Sequence, residues 1–383
     1  MTTQTSINQG RWRLWALWAL VLAMALVSGP QTWALLHFQP AGFDFLPLWT
    51  AGRMAWTAPA RVYDFAAVTG AQGWLLGHLR WLRPYAYPPS ALLILAPFGR
   101  LPFWIALALW DALGLAVFLA AGARLAKSGR GLTLALMTLA PPVVLALAIG
   151  QTVLLAAGLA TLAVTELKAR PRLAGALFAL AAALKPQAVL LAPVALVACG
   201  AYEALASAAV VGTLVLAVSA MLFGPARWSE WLASLAPFRA LTEHVPRLMM
   251  GMITPYAAGR LLGLAGVSLM IWRAAFAAFG VAAVWWAFRR QDEPARRLAA
   301  LLGGGLMITP YAMHYDGSLL VPAAAAMAVG GVREGGWILR LLALGAVCAV
   351  TTPYLGAACV TAFILLTALE PPTPRVAAAK GLS

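Results

Sequence analysis

Acidic residues are scarce in this chain: Asp and Glu together number 12 in 383 residues. Charged residues of both signs make up only 10%, against about 25% in soluble domains. That shortage excludes an ordinary soluble globule. Cysteine is scarce as well. Cys199, Cys348 and Cys359 stand isolated inside apolar runs. They show no metal-ligand spacing and no evident disulfide pairing, so each reads as a small core residue. The alternating pattern of an outer-membrane barrel is missing. No two-halves repeat is evident, which weighs against a carrier built from inverted repeats.

Apolar length is what the chain has instead. It is 63% hydrophobic, with a mean hydropathy of +0.85. Many stretches run about fifteen to twenty residues without a charge, the signature of membrane-spanning helices. In the bilayer core backbone polar groups find partners only within the segment, which makes helices the default. The net charge of +15 does not point to nucleic acid. The basic residues sit in short clusters between apolar runs, as the excess of Lys and Arg on the cytoplasmic side requires. Arg11 and Arg13 precede the first long run. A signal peptide is the alternative there, but the run is long and no small-residue cleavage site stands out, so a retained helix is expected.

The clusters set a topology. They fall at Arg11/Arg13, Arg124–Arg130, Lys168–Arg172, Arg289–Arg297, Arg333/Arg340 and Arg375/Lys380. Placing all of them inside predicts a first span over 14–36 and a second over 102–123. A pair follows over 131–149 and 151–166. Shorter runs cover 173–184 and 187–200, broken at Lys185-Pro186. Further spans are expected over 204–223, 269–288, 298–311 and 317–332, with a final pair within 337–369. The expectation is therefore an all-α polytopic membrane bundle of roughly 10–12 helices. It forms a single integral membrane domain over 1–383, with bundle 102–369 and a cytoplasmic tail 370–383. Two outer loops are long, 38–101 and 224–260. Segment 88–99 is too short to span and is expected to lie at the interface or re-enter.

Several polar residues are out of place in such a chain. Asp44 follows the first helix within a few residues and is flanked by Phe43, Phe45, Pro47 and Trp49. It reads either as a helix-capping or interfacial acid, or as a general base kept partly dry by its neighbours. Asp64 after Val62-Tyr63 reads as a cap for the following helix or a partner of Arg53 or Arg61, before any site role. Gly150-Gln151-Thr152 lies at the outer end of a helix pair. There Gln and Thr either stabilise helix contacts or bond a sugar hydroxyl or phosphate oxygen. Lys185 breaks two apolar half-helices on the outer side, where the charge bias does not account for it. It either snorkels to the interface or holds an anion such as a lipid phosphate. The run Thr309-Pro310-Tyr311-Ala312-Met313-His314-Tyr315-Asp316 gathers titratable groups at another outer helix end. Asp111, Arg273 and Glu203 read as pairs inside or beside the bundle. In the second outer loop, Trp228 and Trp231 read as interface anchors, while Arg247 and Arg260 are candidates for an anionic headgroup.

Taken in order, these stretches resemble glycosyltransferase family 87, GT-C-type polytopic enzymes that use polyprenyl-phosphate-linked sugars. The resemblance runs from Asp44 to Pro322. It rests on Asp44-Phe45, Ala51-Gly52, Val62-Tyr63-Asp64, Tyr87-Pro88-Pro89, Gly150-Gln151, Gly175, Leu184-Lys185-Pro186-Gln187 and Thr309-Pro310 through Tyr315-Asp316. It implies a GT-C-like fold and a general base at Asp44. It implies that Lys185 and His314 hold the donor's phosphate, and that Tyr63, Asp64, Tyr87, Gln151, Tyr315 and Asp316 contact substrate. The chain departs from the family pattern at Tyr315 and Asp316, where some members carry histidines. Thr152 replaces a common asparagine and Trp49 a common tyrosine.

The implied reaction is an inverting transfer of a hexosyl group, with mannose as the leading sugar, to a lipid or glycan acceptor. The acceptor hydroxyl attacks and Asp44 takes its proton. No cofactor and no metal is called for, and no Asp-x-Asp pair occurs, which argues against a metal-dependent nucleotide-sugar enzyme. The expected partners are the polyprenyl-phosphate sugar, the acceptor and membrane lipids, but no nucleic acid. The expected location is the inner (plasma) membrane, with the site facing outward. A transporter or lipid flippase is the rival reading, because broken helices with intramembrane Lys, Asp and His suit it too. A non-enzymatic scaffold is the third, but it gives no reason for Asp44, Gln151, Lys185 and His314 to share one side.

Overall fold

A computed structural model describes the chain except for Met1, Gln39, 77–82, 335–336, 353 and 370–383. The expected tail 370–383 therefore lies outside the described residues. No strand occurs among the described residues, and the chain is an all-α membrane helical bundle.

The chain opens with α1 (Thr2–Phe38), longer than the expected 14–36 span. The expected outer loop 38–101 folds as three helices rather than as irregular chain: α2 (Phe45–Thr57), α3 (Phe65–Leu76) and α4 (Leu92–Phe98). Segment 88–99 is a 3-10 turn, Pro89–Ala91, followed by the seven residues of α4. Helix α5 (Phe103–Leu125) follows, over the expected second span. The expected 131–149 span is two helices, α6 (Arg130–Leu139) and α7 (Pro141–Ile149), bent by 57°. Pro141 and Pro142 account for the bend, since proline neither donates to the preceding turn nor lets the residue before it stay helical.

Next come α8 (Val153–Glu166), α9 (Pro171–Leu184) and α10 (Ala192–Ala198), with a 3-10 turn at Pro186–Val189 in place of the first part of the expected 187–200 helix. Helix α11 (Tyr202–Phe223) follows. The expected second outer loop, 224–260, carries α12 (Ala226–Glu243), α13 (Pro246–Met250) and α14 (Pro255–Leu261). The chain closes with α15 (Gly266–Arg290), α16 (Pro294–Ile308), α17 (Val321–Glu334), α18 (Trp337–Ala349) and α19 (Gly356–Leu369). A 3-10 turn, His314–Leu319, precedes α17, so the expected 317–332 span starts in that turn.

Helices α5, α11 and α15 are long and apolar enough to cross a membrane, and the bent α6–α7 pair makes a fourth candidate. Most of the other expected crossings correspond to apolar helices of 10–17 residues, while the 298–311 crossing falls on α16, which carries Arg296 and Arg297 in its first turn. Small residues let these helices approach closely, as membrane packing without a hydrophobic drive requires. A Cβ on Gly158 of α8 would lie 2.9 Å from the α5 backbone, and one on Gly175 of α9 would lie 2.1 Å from the Ala204 carbonyl of α11. Two apolar cores result. The larger joins the spans around Phe118, Phe178, Phe288 and Phe363. The second forms under the first outer loop, where Phe45, Trp49, Tyr85 and Leu92 pack on Phe103 and Trp110 of α5.

The basic clusters at 124–130, 168–172 and 289–297 converge. Arg124 pairs with Glu166 at 2.7 Å, Lys168 with Asp292 at 2.8 Å and Lys127 with Glu293 at 3.9 Å. Three loops far apart in sequence thus share one end of the bundle. Glu203 pairs with Arg172 at 3.3 Å, and Arg273 lies over the Tyr256 ring. Asp111 is half-buried in α5.

Candidate active site

Asp44 occupies the residue before the first turn of α2, yet its side chain makes no capping hydrogen bond there. The carboxylate turns away into a polar cluster. Arg83 Nη2 donates to Asp44 Oδ1 at 3.1 Å, and Gln151 Nε2 donates to Oδ2 at 2.7 Å. Two glycines with positive φ build this junction. Gly42, at +72°, donates its N–H to the Ala148 carbonyl, and Asp44 N–H follows onto the Ile149 carbonyl. Gly150, at +73°, ends α7 and presses on Phe45, where a Cβ would come within 2.6 Å of the Phe45 Cβ. Only glycine adopts that conformation without strain, so the α7 end and the α2 start lock together and deliver Gln151 onto Asp44.

Arg83 did not stand out in the sequence. It precedes Pro84 in the first loop as one basic residue among many. Its backbone is held by α3: Thr69 Oγ1 accepts from Arg83 N–H, and Gln72 Nε2 donates to the Arg83 carbonyl, both at 2.9 Å. That grip projects the guanidinium over the Phe43 ring and onto Asp44. Its Nη1 is buried with no partner.

The third wall is tyrosine. Tyr87 OH bonds Gln151 Oε1 at 3.2 Å and Thr152 Oγ1 at 3.0 Å. Tyr85 stacks on Tyr87, and Tyr63 OH donates to the Tyr87 carbonyl at 2.9 Å. Tyr63 therefore braces the Tyr87 backbone. Asp64 lies apart from the cluster. It is exposed, accepts from Ala67 N–H at 2.9 Å at the start of α3, and pairs with Arg61 at 3.6 Å.

The opposite wall comes from two helix breaks. Pro186 forces Lys185 out of helical geometry at the end of α9. The Lys185 ammonium is buried and donates to Asp316 Oδ1 at 2.5 Å, while Asp316 Oδ2 accepts from Met313 N–H at 2.9 Å. Lys185 also faces the Tyr315 ring at 5.6 Å. An antiparallel bridge between Met252 and Met313 fixes the second break. His314 N–H donates to the Gly251 carbonyl at 2.9 Å, and its ring Nδ1 lies 3.0 Å from the same oxygen.

The walls share one electrostatic space. Burial raises the Asp44 pKa above the ordinary carboxylate value. Arg83 opposes that rise most strongly, then the Gln151 hydrogen bond, then the more distant charges of His314 and Lys185. Burial also pushes Arg83 down to about 10, against the pull of Asp44. The Asp44 side chain keeps 27% exposure, so it remains reachable. A carboxylate with a raised pKa, held by two donors and faced by cations, suits proton abstraction beside a departing anion.

A family model, "Glycosyltransferase family 87", matches residues 85–310, more than half of the chain. The match takes in Tyr87, Gln151 and Lys185, and stops short of Asp44 on one side and His314 on the other. No curated protein and no solved structure matches the chain.

Proposed function

The chain belongs to glycosyltransferase family 87, and we propose that it moves a hexosyl group from a polyprenyl-phosphate donor to a lipid or glycan acceptor. Asp44 is the general base. The observation that carries this is its carboxylate, uncapped, gripped by Arg83 and Gln151 and faced by the Lys185–Asp316 pair and His314.

The acceptor hydroxyl approaches Asp44 and attacks the anomeric carbon. As the new C–O bond forms, Asp44 takes the hydroxyl proton. The bond from the anomeric carbon to the phosphate oxygen breaks on the opposite face, and its electron pair leaves with the polyprenyl phosphate. Attack opposite the leaving group inverts the anomeric centre. One carboxylate is enough for this, because the phosphate leaves as a stable anion that needs cations rather than an acid. Lys185 and His314 stand on the phosphate side. The unpartnered Nη1 of Arg83 offers a further donor to it. Gln151 and Tyr87 hold the sugar hydroxyls, with Tyr315 and Asp316 behind them. Mannose is the sugar we favour.

The location we propose is the plasma membrane, with the site facing outward. The support is the separation of charge: Arg124, Lys127 and Lys168 gather with their acidic partners at one set of helix ends, as a cytoplasmic face requires. Phe45, next to Asp44, packs on Phe103 in the first turn of α5, and Arg124 lies in its last turn.

In vitro transfer from polyprenyl-phosphate sugars to a membrane lipid extract tests the proposal. The wild-type protein labels an acceptor and Asp44→Ala does not. Unchanged transfer by Asp44→Ala sinks the base assignment. Absence of transfer from every donor, with solute flux in proteoliposomes, points to a carrier instead.

A further inference from the structure

Two glycine–arginine pairs meet away from the cluster around Asp44. Gly52-Arg53 lies on α2, and Gly99-Arg100 immediately follows α4. A Cβ on Gly99 would lie 2.2 Å from the Arg53 nitrogen, and one on Gly52 would lie 2.4 Å from the Leu95 carbonyl oxygen. The bare backbones touch, and the arginine after each glycine therefore enters the same groove. That groove, of about 410 Å³, is completed by Trp49, Pro102, Phe103 and Trp104.

The groove is rigid. Trp49 Nε1 donates to the Leu101 carbonyl at 3.0 Å and Trp56 Nε1 to the Ala96 carbonyl at 2.7 Å. Arg53 lies 5.7 Å over the Trp49 ring, and Arg100 lies 3.7 Å over the Trp56 ring. Among the described residues neither arginine pairs with a carboxylate. Two positive charges thus converge on one space with nothing there to neutralise them.

The groove opens at the start of α5, a helix long and apolar enough to span the bilayer. The outward face of that helix, Trp104, Ile105 and Leu109, is half exposed. Its first turn therefore marks the headgroup level, where Trp104 and Trp56 are placed as interface residues. Guanidinium groups at that level present paired donors to a phosphate. The apolar face below them suits alkyl chains.

We propose that this groove binds one anionic phospholipid of the surrounding bilayer. Its phosphate sits between Arg53 and Arg100, and its acyl chains run along Trp104, Ile105 and Leu109. The site is distinct from the sugar-transfer cluster, because Arg53 stands nine residues from Asp44, about 14 Å along α2.

Native mass spectrometry of the full chain in mild detergent, titrated with phosphatidylglycerol or phosphatidylcholine, tests this. One phosphatidylglycerol is retained in preference to phosphatidylcholine. Arg53→Gln/Arg100→Gln weakens that adduct roughly 30-fold, as two interfacial charges of about 1 kcal/mol each require. Arg53→Lys/Arg100→Lys keeps the charge and loses less. Arg61→Gln/Arg239→Gln, two exposed arginines already paired with Asp64 and Glu243, keeps the adduct. Equal affinity for the two lipids overturns the proposal. So does an unchanged adduct in the Gln pair, or equal loss in the Arg61/Arg239 variant. Where the double Gln variant does not fold, the single variants carry the same comparison. None of these readouts depends on sugar transfer.

Discussion

Gln151 and Asp44 lie 107 positions apart in sequence, and their side chains share a 2.7 Å hydrogen bond. The amide nitrogen donates, so the bond favours the ionised carboxylate. Arg83 acts on the other oxygen of the same group. The two donors hold the Asp44 carboxylate in one orientation, within electrostatic reach of Lys185.

Asp44→Asn keeps the shape of the cluster and removes the base. Transfer is expected to fall by about 10²–10⁴-fold, the range for a positioned general base. Thermal stability in detergent should change little, because Arg83 and Gln151 keep a polar partner. Steady-state transfer assays beside a melting curve separate the two effects.

The pH profile carries a sign. Asp44 must be ionised to accept a proton, and burial raises its pKa above the ordinary carboxylate value of about 3.9. Activity should therefore fall as pH drops through that raised value. Arg83 is the largest influence holding it down. Arg83→Gln should move the acidic limb to higher pH and lower the maximal rate. An unmoved limb in Arg83→Gln would show that Arg83 does not tune Asp44.

Lys185 and Asp316 form a buried pair whose members are 3% and 1% exposed. Removing one partner strands a buried charge, a loss of about 3–5 kcal/mol. Lys185→Met alone should lower the melting temperature sharply. Lys185→Met/Asp316→Leu should recover most of the stability, since no charge is then stranded. Transfer should stay low in both, because the proposed phosphate contact is gone. Recovery of transfer in the double variant would make the pair purely structural.

Gly150→Ala tests the junction itself. Position 150 needs a positive φ, and an added Cβ meets Phe45. The strain is expected to be on the order of 1–3 kcal/mol. Transfer should fall as well, because Gln151 is delivered by that turn.

Asp64→Ala should leave transfer close to wild type. The side chain is exposed and serves the first turn of α3 and Arg61. A large loss of transfer would bring Asp64 back to the substrate.

Much of the site was legible from charge scarcity. An acid just after the first apolar helix and a lysine before a proline between two half-helices are costly in a membrane chain, so each drew attention. Gln151 was visible as a polar residue at a helix-pair junction. Arg83 was not. In a chain with 27 Lys and Arg, one more arginine in a loop carries no signal. Its position depends on Thr69 and Gln72, whose side chains reach across from α3. Asp64 already read as a cap for the following helix or a partner of Arg61 before any site role, and the structure gives it both contacts. Only the fold supplies the partners of Asp44, which are Arg83 and Gln151.

The sequence by itself determined that the chain is a helical membrane protein, because apolar runs of that length have no other stable form in a bilayer. It also marked the break at Lys185-Pro186, since proline interrupts the helical hydrogen-bond ladder, whereas the bend at Pro141-Pro142 lies inside the expected 131–149 span and emerges only in the fold. The tertiary structure decided which breaks face one another. Close approach at Gly150, Gly158 and Gly175 sets helix distances that no periodicity encodes. Those distances turn an odd acid, a glutamine, an unremarked arginine and a buried lysine–aspartate pair into one cluster.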